Sequence, residues 1–312
     1  MITILGAGGA ISNELVKILA QRKQPFRVVG RNPRSVPGAT ETISANLSDK
    51  ELTVKAVAGS TIVHLLVGLK YDHKVWAEMW PKIMANTIEA CKRAGAKLIF
   101  FDNVYMYGKV SGLMTEDTPF NPSSKKGEIR AKIATVLINE WKAGAVTGMI
   151  ARAADFLGPD TQHAVPNVLV FAPLAKNQTA SWLVNDSVPH SYTYTPDAAQ
   201  SLVTLAESTS AWNQTWHLPT APSPPTGKEF IAMAAKELGV APKYRVLGRT
   251  LIRVLGWFKP EVGESYEMLY QNDSPYRFDS SKFAKAFGFS GTPYADAIHA
   301  TAMSFRNARP KE

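Results

Sequence analysis

The sequence predicts an α/β protein: a doubly wound parallel sheet with helices on both faces, and a smaller C-terminal domain. Three observations carry that prediction. The first dozen residues read strand, glycine turn, helix. Short runs rich in β-branched residues then alternate with segments of helical period, the rhythm of strand–helix–strand units. After Asp155 the alternation gives way to sequence richer in proline and aromatic residues.

Ile2 to Leu5 is long enough for one buried strand. Gly6, Gly8 and Gly9 follow, and Asn13 to Arg22 has Leu15, Ile18 and Leu19 on one helical face. Glycines between a strand and a helix let backbone approach a pyrophosphate at the positive helix N-terminus. The order therefore predicts a Rossmann-type dinucleotide fold. The strict G-x-G-x-x-G pattern fails, because Ile11 stands where the last glycine belongs. The spacing Gly6-x-x-Gly9-x-x-Ser12 fits a variant with serine at the third position. A tight turn without a ligand is the plainer alternative.

Phe26 to Gly30 is a second strand, ending in Arg31-Asn32-Pro33-Arg34. A fold of this kind that prefers NAD usually places a carboxylate here for the ribose hydroxyls. None is present, and the Arg31 guanidinium suits a 2′-phosphate through charge and its planar fork of donors. An exposed loop arginine is the competing reading. Glu41 to Leu47 reads as a third strand running into Asn46-Leu47-Ser48-Asp49, and Thr61 to Val67 as a fourth. Asp72 to Arg93 carries Trp76, Met79, Trp80, Ile83 and Ile88 at helical spacing, with a bend expected at Pro81, and Gly95 ends it. Lys97 to Phe101 gives a fifth strand, Arg130 to Trp141 a helix and Val146 to Ala151 a sixth strand. Later, Thr226 to Leu238 is helical, and Leu251 to Phe258 and Val262 to Tyr270 read as short helices. The expected division is a dinucleotide-binding domain over 1–155, returned to by about 189–218, with 156–312 mainly a substrate-binding domain.

The bulk properties fit. The chain has 312 residues, 45% hydrophobic and 20% charged, ordinary for a soluble globular protein with a full core. No apolar run approaches a membrane span, and Met1 leads straight into a strand, so neither a membrane partner nor a signal peptide is expected. Cys91 is the only cysteine, which excludes an intrachain disulfide and suits a reducing cytoplasm. The Asn-x-Ser/Thr triplets at Asn46, Asn177 and Asn213 then read as chance. A net charge of +9 suits phosphate-bearing ligands. The basic residues are scattered rather than striped with aromatics, so nucleic acid is not an expected partner. The six histidines show no metal-ligand spacing, and no metal is expected.

The chain resembles the extended short-chain dehydrogenase/reductases of the NAD-dependent epimerase/dehydratase type, over nearly its whole length. Gly6 to Ser12 looks like that family's glycine turn, and Val63 to Val67 like its fourth strand. Phe101-Asp-Asn-Val-Tyr-Met-Tyr-Gly108 looks like its fifth strand end. Thr115-Glu116-Asp117 with Pro119 and Pro122 looks like the loop before the catalytic tyrosine, and Arg152 to Pro159 like the sixth strand end beside the nicotinamide. Asp197-Ala198-Ala199 and Phe278 to Lys282 match later motifs. The resemblance implies cofactor contacts at Gly6, Gly9, Ala10, Ile11, Ser12, Arg31, Asn46, Leu47, Leu66, Val67, Lys126, Arg130, Ala154 and Asp155. The cofactor expected from Arg31 and the missing carboxylate is NADP, with NAD as the alternative. The resemblance also implies a small-molecule substrate, and it leaves a homodimer open.

The departures concern chemistry. The family's working dyad is Tyr-x-x-x-Lys. Alignment on Pro122 and Gly127 puts Lys126 at the tyrosine and Arg130 at the lysine, and Asn103 replaces the usual Ser or Thr. Carbonyl reduction needs a proton donor at oxygen and a group that holds the oxygen. Lys126 can donate, its ordinary pKa of about 10.4 lying near the roughly 10 of tyrosine, and a neighbouring Arg130 would lower it. Asn103 can hold an oxyanion. Tyr105 shares its face if the chain stays extended, and is a second candidate acid. Asp155 is read as the end of the sixth strand. His190, Tyr192 and Tyr194 alternate onto one face, with Tyr192 a further alternative acid. The function classes left are an NADP(H)-dependent oxidoreductase on a small or medium carbonyl compound, a non-catalytic NADP(H)-binding sensor or regulatory protein, and a sugar-nucleotide epimerase or dehydratase. His64 reads as a buried strand histidine.

Overall fold

The computed structural model describes residues 1–159, 161 and 163–307. In chain order, β1 (Ile2–Leu5), α1 (Ala10–Gln21), β2 (Phe26–Gly30), β3 (Glu41–Ser44), α2 (Lys50–Val57), β4 (Ile62–Leu65), α3 (His73–Ala94) and β5 (Lys97–Asp102) come first. Next are β6 (Leu113–Met114), α4 (Lys125–Lys142), β7 (Gly148–Arg152), β8 (Asp155–Leu157), α5 (Ala172–Ala175), β9 (Ala180–Leu183), β10 (Tyr192–Tyr194), α6 (Thr195–Glu207) and β11 (Thr215–His217). The chain closes with α7 (Gly227–Leu238), β12 (Tyr244–Leu247), α8 (Arg249–Phe258), α9 (Pro260–Ser265), β13 (Arg277–Phe278), α10 (Ser281–Phe287) and α11 (Tyr294–Asn307).

Two compact units are formed. The first comprises Met1–Met106, Lys125–Arg152 and Ala198–Trp216. The second comprises Tyr107–Ser124, Ala153–Asp197 and the residues from His217 onward. A seven-stranded sheet ordered β3-β2-β1-β4-β5-β7-β11 runs through the first. Its ladders from β3 to β7 are all parallel. This is the doubly wound α/β sheet expected from the alternation of elements, with the order reversing beside β1. Strands covered on both faces become continuous apolar runs. Ile4, Leu5, Val28, Val29, Leu65, Leu98, Ile99 and Phe100 are all fully buried, each worth about 1.5–3 kcal/mol relative to exposure.

The long helix α3 is set at both ends by its own sequence. Asp72 caps it, its carboxylate accepting from the N–H groups of Lys74 and Val75, and Gly95 ends it with φ 64°. The helix passes through Pro81 without a break. In contrast, α1 begins at Ala10, three residues earlier than its apolar period suggests, because Gly9 already stands at the cap. Likewise α4 starts at Lys125 rather than Arg130, so Lys126 lies in its first turn and Arg130 one turn on, along the same face. The expected helix over Val262 to Tyr270 divides into α9 and a 3-10 stretch over Tyr266–Asn272.

The second unit has its own core. Val170, Phe171, Trp182, Phe230, Ile231 and Ile298 pack together, drawn from the turn before α5, β9, α7 and α11. A capping box fixes the start of α7: the Thr226 hydroxyl accepts from the Glu229 N–H, and the Glu229 carboxylate accepts from the Thr226 N–H. Short parallel pairs β8–β10, β9–β12 and β6–β13 complete the unit.

His64, in the middle of β4, is buried as expected for a strand histidine, and among the described residues its Nδ1 has no hydrogen-bond partner. Burial pushes its imidazole down to about 4. An unfolded chain binds that proton near 6.5, so protonation favours unfolding in this interval. The stabilisation is complete above about 6.5 and declines as pH falls toward about 4, by roughly 3 kcal/mol in all. His64→Leu is expected to flatten this part of the stability profile, measured by urea unfolding across that range. An unchanged slope would place the sensitivity elsewhere.

Candidate cofactor and active site

The glycine turn is built for close backbone approach. Gly6 has φ 114° and Gly8 has φ 84°, both in the region that favours glycine. A Cβ on Gly6 would lie 2.7 Å from the Leu66 carbonyl carbon and oxygen. The N–H groups of Gly6 and Ala7 both donate to the Val29 carbonyl, at 2.9 and 3.0 Å, which ties the turn to β2. Gly9 caps α1 without a side-chain hydrogen bond, and the helix has no acid in its first turn. The N–H groups of Ala10, Ile11 and Ser12 stand at a helix start whose first turn carries no acid, and Glu14, the nearest carboxylate along the helix, pairs with Lys17; this suits a pyrophosphate. A dinucleotide therefore fits these residues. The spacing pattern stresses Gly6 and Gly9, but the positive φ of Gly8 makes it as necessary to the turn.

The carboxyl ends of β1, β2, β3 and β4 place the remaining first-unit candidates. Arg31 follows β2 directly and is exposed, and its carbonyl accepts from the Ser44 hydroxyl at the end of β3, 2.7 Å away. Asn46 is exposed, with its side-chain oxygen accepting from the Ser48 N–H and hydroxyl. Leu47 and Leu66 are buried, and Val67 is half-buried.

At the end of β5 lies a buried charge cluster. Asp102 is 2% exposed, Arg152 1%, Arg130 7% and Lys126 0%. The Asp102 carboxylate stands 3.2 Å from Arg130 Nη1 and 3.7 Å from Arg152 Nε, and accepts from the Asn103 N–H. Burial pushes the Asp102 carboxyl up while Arg130 and Arg152 pull it back. Burial likewise pushes the Arg130 guanidinium down, against Asp102 and the phenols of Tyr105 and Tyr71. The Arg130 guanidinium lies 4.1 Å from the centre of the Trp80 ring and 4.9 Å from that of Trp76. Lys126, one turn earlier, holds its Nζ 4.5 Å from the centre of the Tyr71 ring. Cation–π contacts of this kind compensate part of the desolvation of a buried cation.

Asn103 and Tyr105 are placed differently from an extended chain. The strand stops at Asp102, and Asn103 Oδ1 accepts from the Tyr105 N–H at 3.1 Å, which starts a 3-10 turn over Tyr105–Tyr107. The shared face expected for Asn103 and Tyr105 therefore does not form. Tyr105 stacks instead on Trp76, ring centres 6.3 Å apart and planes 10° from parallel.

Ala154, Asp155, His190 and Tyr192 belong to the second unit. Asp155 opens β8 rather than closing the sixth strand of the main sheet, which ends at Arg152. The chain leaves that sheet earlier than expected, because β8 pairs with β10. The Ala154 N–H donates to Thr193 Oγ1 at 2.9 Å. His190 Nε2 meets Asp155 Oδ2 at 2.8 Å, and its ring lies on those of Tyr276 and Tyr192. Burial first, then Asp155 and Tyr294, hold the Tyr192 phenol well above its ordinary value. That makes Tyr192 a reluctant proton donor.

The comparisons with known proteins agree with this fold. The family model for the NAD dependent epimerase/dehydratase family matches residues 2–215. The chain belongs to that family. One curated relative, 3-diazoavenalumate denitrifying reductase from a Streptomyces species, is 22% identical over 271 residues, covering 82% of this chain and 88% of its own. Among solved structures, the UDP-glucose 4-epimerase of Thermus thermophilus in complex with NAD superposes with a TM-score of 0.80, 17% identity and 99% of each chain covered. A dTDP-glucose 4,6-dehydratase double mutant from Streptomyces venezuelae, with NAD bound, gives 0.81 at 15% identity, covering 99% of this chain and 98% of its own. At such identities these structures show the shared fold.

Sequence reasoning missed Tyr71, Asp102 and Arg152. Tyr71 precedes the α3 cap and meets Lys126 only in three dimensions, so no local spacing pointed to it. Asp102 carried a signal in hindsight, an acid directly after the apolar run Leu98 to Phe101. Its removal leaves two buried guanidiniums without their carboxylate. Asp102→Asn is expected to destabilise the protein by about 3 kcal/mol, read by denaturant unfolding. A loss below about 1 kcal/mol would show that the cluster is solvated rather than sealed.

Proposed function

We propose that the protein is an NADP(H)-dependent oxidoreductase of the extended short-chain type, reducing a small or medium carbonyl compound. The observation that carries the reading is Lys126: a lysine fully buried at the first turn of α4, where the family keeps its tyrosine. It belongs to the same unit as the glycine turn. Burying an ammonium is costly, so a lysine kept there is one that the site uses. The curated relative's name, a reductase, is consistent with this chemistry.

The turn over Gly6–Gly9 and the first turn of α1 hold the pyrophosphate, and Arg31 meets a 2′-phosphate where β2 lacks a carboxylate. Bound there, a nicotinamide cofactor supplies the hydride. Lys126 gives its proton to the substrate oxygen as the carbonyl carbon is reduced, so that a ketone or aldehyde leaves as an alcohol. The Tyr71 ring against Lys126 fixes where the ammonium points. Asn103 holds the oxygen through its side-chain NH2, its Oδ1 being engaged with the Tyr105 N–H. Arg130 is a positioning residue: with its guanidinium between Asp102 and Trp80, it pins the face of α4 that carries Lys126.

Two results are expected. NADPH binds more tightly than NADH in fluorescence titration, and Arg31→Ala abolishes the preference; equal affinities in the native protein would refute it. In assays of NADPH consumption against ketones, aldehydes and enones, Lys126→Ala lowers turnover by about a hundred- to ten-thousand-fold, with cofactor affinity changed far less. A protein that turns over nothing, and whose Lys126→Ala variant loses NADPH binding, is instead a cofactor-binding sensor. The lost Tyr-x-x-x-Lys dyad favours that second reading.

A further inference from the structure

Helix α8 turns its apolar stripe outward. Leu251, Val254, Leu255 and Phe258 recur at the i, i+3, i+4, i+7 spacing of one helical face, and all four are exposed. Trp257 and Phe258, at its end, are 75% and 78% exposed. The opposite side is the packed one. Ile252 is 2% exposed, and Gly256 approaches Gly263 so closely that a Cβ there would lie 2.8 Å from the Gly263 Cα. Arg249 anchors the first turn through a two-point contact with the Asp273 carboxylate. The orientation is therefore fixed by the protein's own packing, and the exposed stripe is a built surface.

The charges on α8 itself are basic, and the nearest acids along the chain are Glu237 before it and Glu261 after it. Between Glu237 and Glu261 the sequence has no acid, but it has Lys243, Arg245, Arg249, Arg253 and Lys259. Apart from Arg249, half-buried against Asp273, these cations are exposed. A short helix with leucine, tryptophan and phenylalanine on one face and arginine and lysine around it matches the chemistry of an anionic lipid surface: rings enter the boundary between headgroups and acyl chains, and cations meet the phosphates. Among the described residues no helix is long and apolar enough to cross a membrane. We propose that α8 docks the protein peripherally on membranes rich in anionic lipid. This departs from the sequence expectation of no membrane partner, which considered only spanning segments and leaders. It does not depend on the proposed reaction.

Co-sedimentation of the full chain with vesicles tests it. Binding is expected to vesicles of phosphatidylserine mixed with phosphatidylcholine, weak binding to phosphatidylcholine alone, and release by salt. Trp257→Ser with Phe258→Ser should lower partitioning by about tenfold or more. Arg253→Gln and Lys259→Gln should each lower it about fivefold. All four residues are exposed, so thermal unfolding should not change, and a loss of binding can be read at the surface. Equal binding to both vesicle types, no binding to either, or full binding by the Trp257→Ser/Phe258→Ser variant would overturn the proposal. So would self-association in sedimentation velocity that this variant abolishes, which assigns the stripe to a second copy of the chain.

Discussion

The ion pair between Asp102 and Arg130 sets the terms for the rest of the first unit's site. Asp102 ends β5 and is sealed from water, so its charge requires the guanidiniums of Arg130 and Arg152. Arg130 in turn leans on Trp80 and Trp76 from α3. A strand of the sheet and two of its covering helices therefore meet at one residue. A cation so committed has little freedom to leave Asp102 for a ligand. Four residues earlier, Lys126 shares the helical face and rests on Tyr71. The pair of positions that the family uses jointly for catalysis is, in the proposed reading, divided here between structure and chemistry.

That division explains how the site can lose Tyr-x-x-x-Lys without losing its shape. The turn over Gly6–Gly9 depends on φ values and on the nearness of the Leu66 backbone, neither of which involves α4. In the proposed reading, cofactor binding and proton supply thus rest on separate features of the sequence. The second unit's candidates contribute differently: the His190–Asp155 contact joins the strand pair β8–β10, and the raised phenol of Tyr192 suits it to packing more than to proton transfer.

Most of the fold was legible, because strands with β-branched runs and helices with caps announce themselves locally. The cap at Asp72 sits beside the N–H groups it accepts from, and the capping box at Thr226 and Glu229 spans a single turn. The candidate site was legible where it depends on position along the chain, as for the glycine turn between β1 and α1. It was illegible where it depends on contacts across the chain. Tyr71 and Lys126 are far apart in sequence, and so are Asp102 and Arg152. The face expected for Tyr105 failed for a local reason, since Asn103 folds its side chain onto the following backbone and ends the strand. The α8 surface was read as a plain short helix, because period alone does not say which face is covered.

If Arg130 is structural and Lys126 faces the chemistry, a crystal structure of the protein with NADPH bound will show it. The expected result is a pyrophosphate on the turn over Gly6–Gly9, Arg130 still between Asp102 and Trp80, and Lys126 Nζ in an open space before the nicotinamide. An Arg130 that has left Asp102 to hold the ribose, with Lys126 turned away from the nicotinamide, would contradict that division of roles.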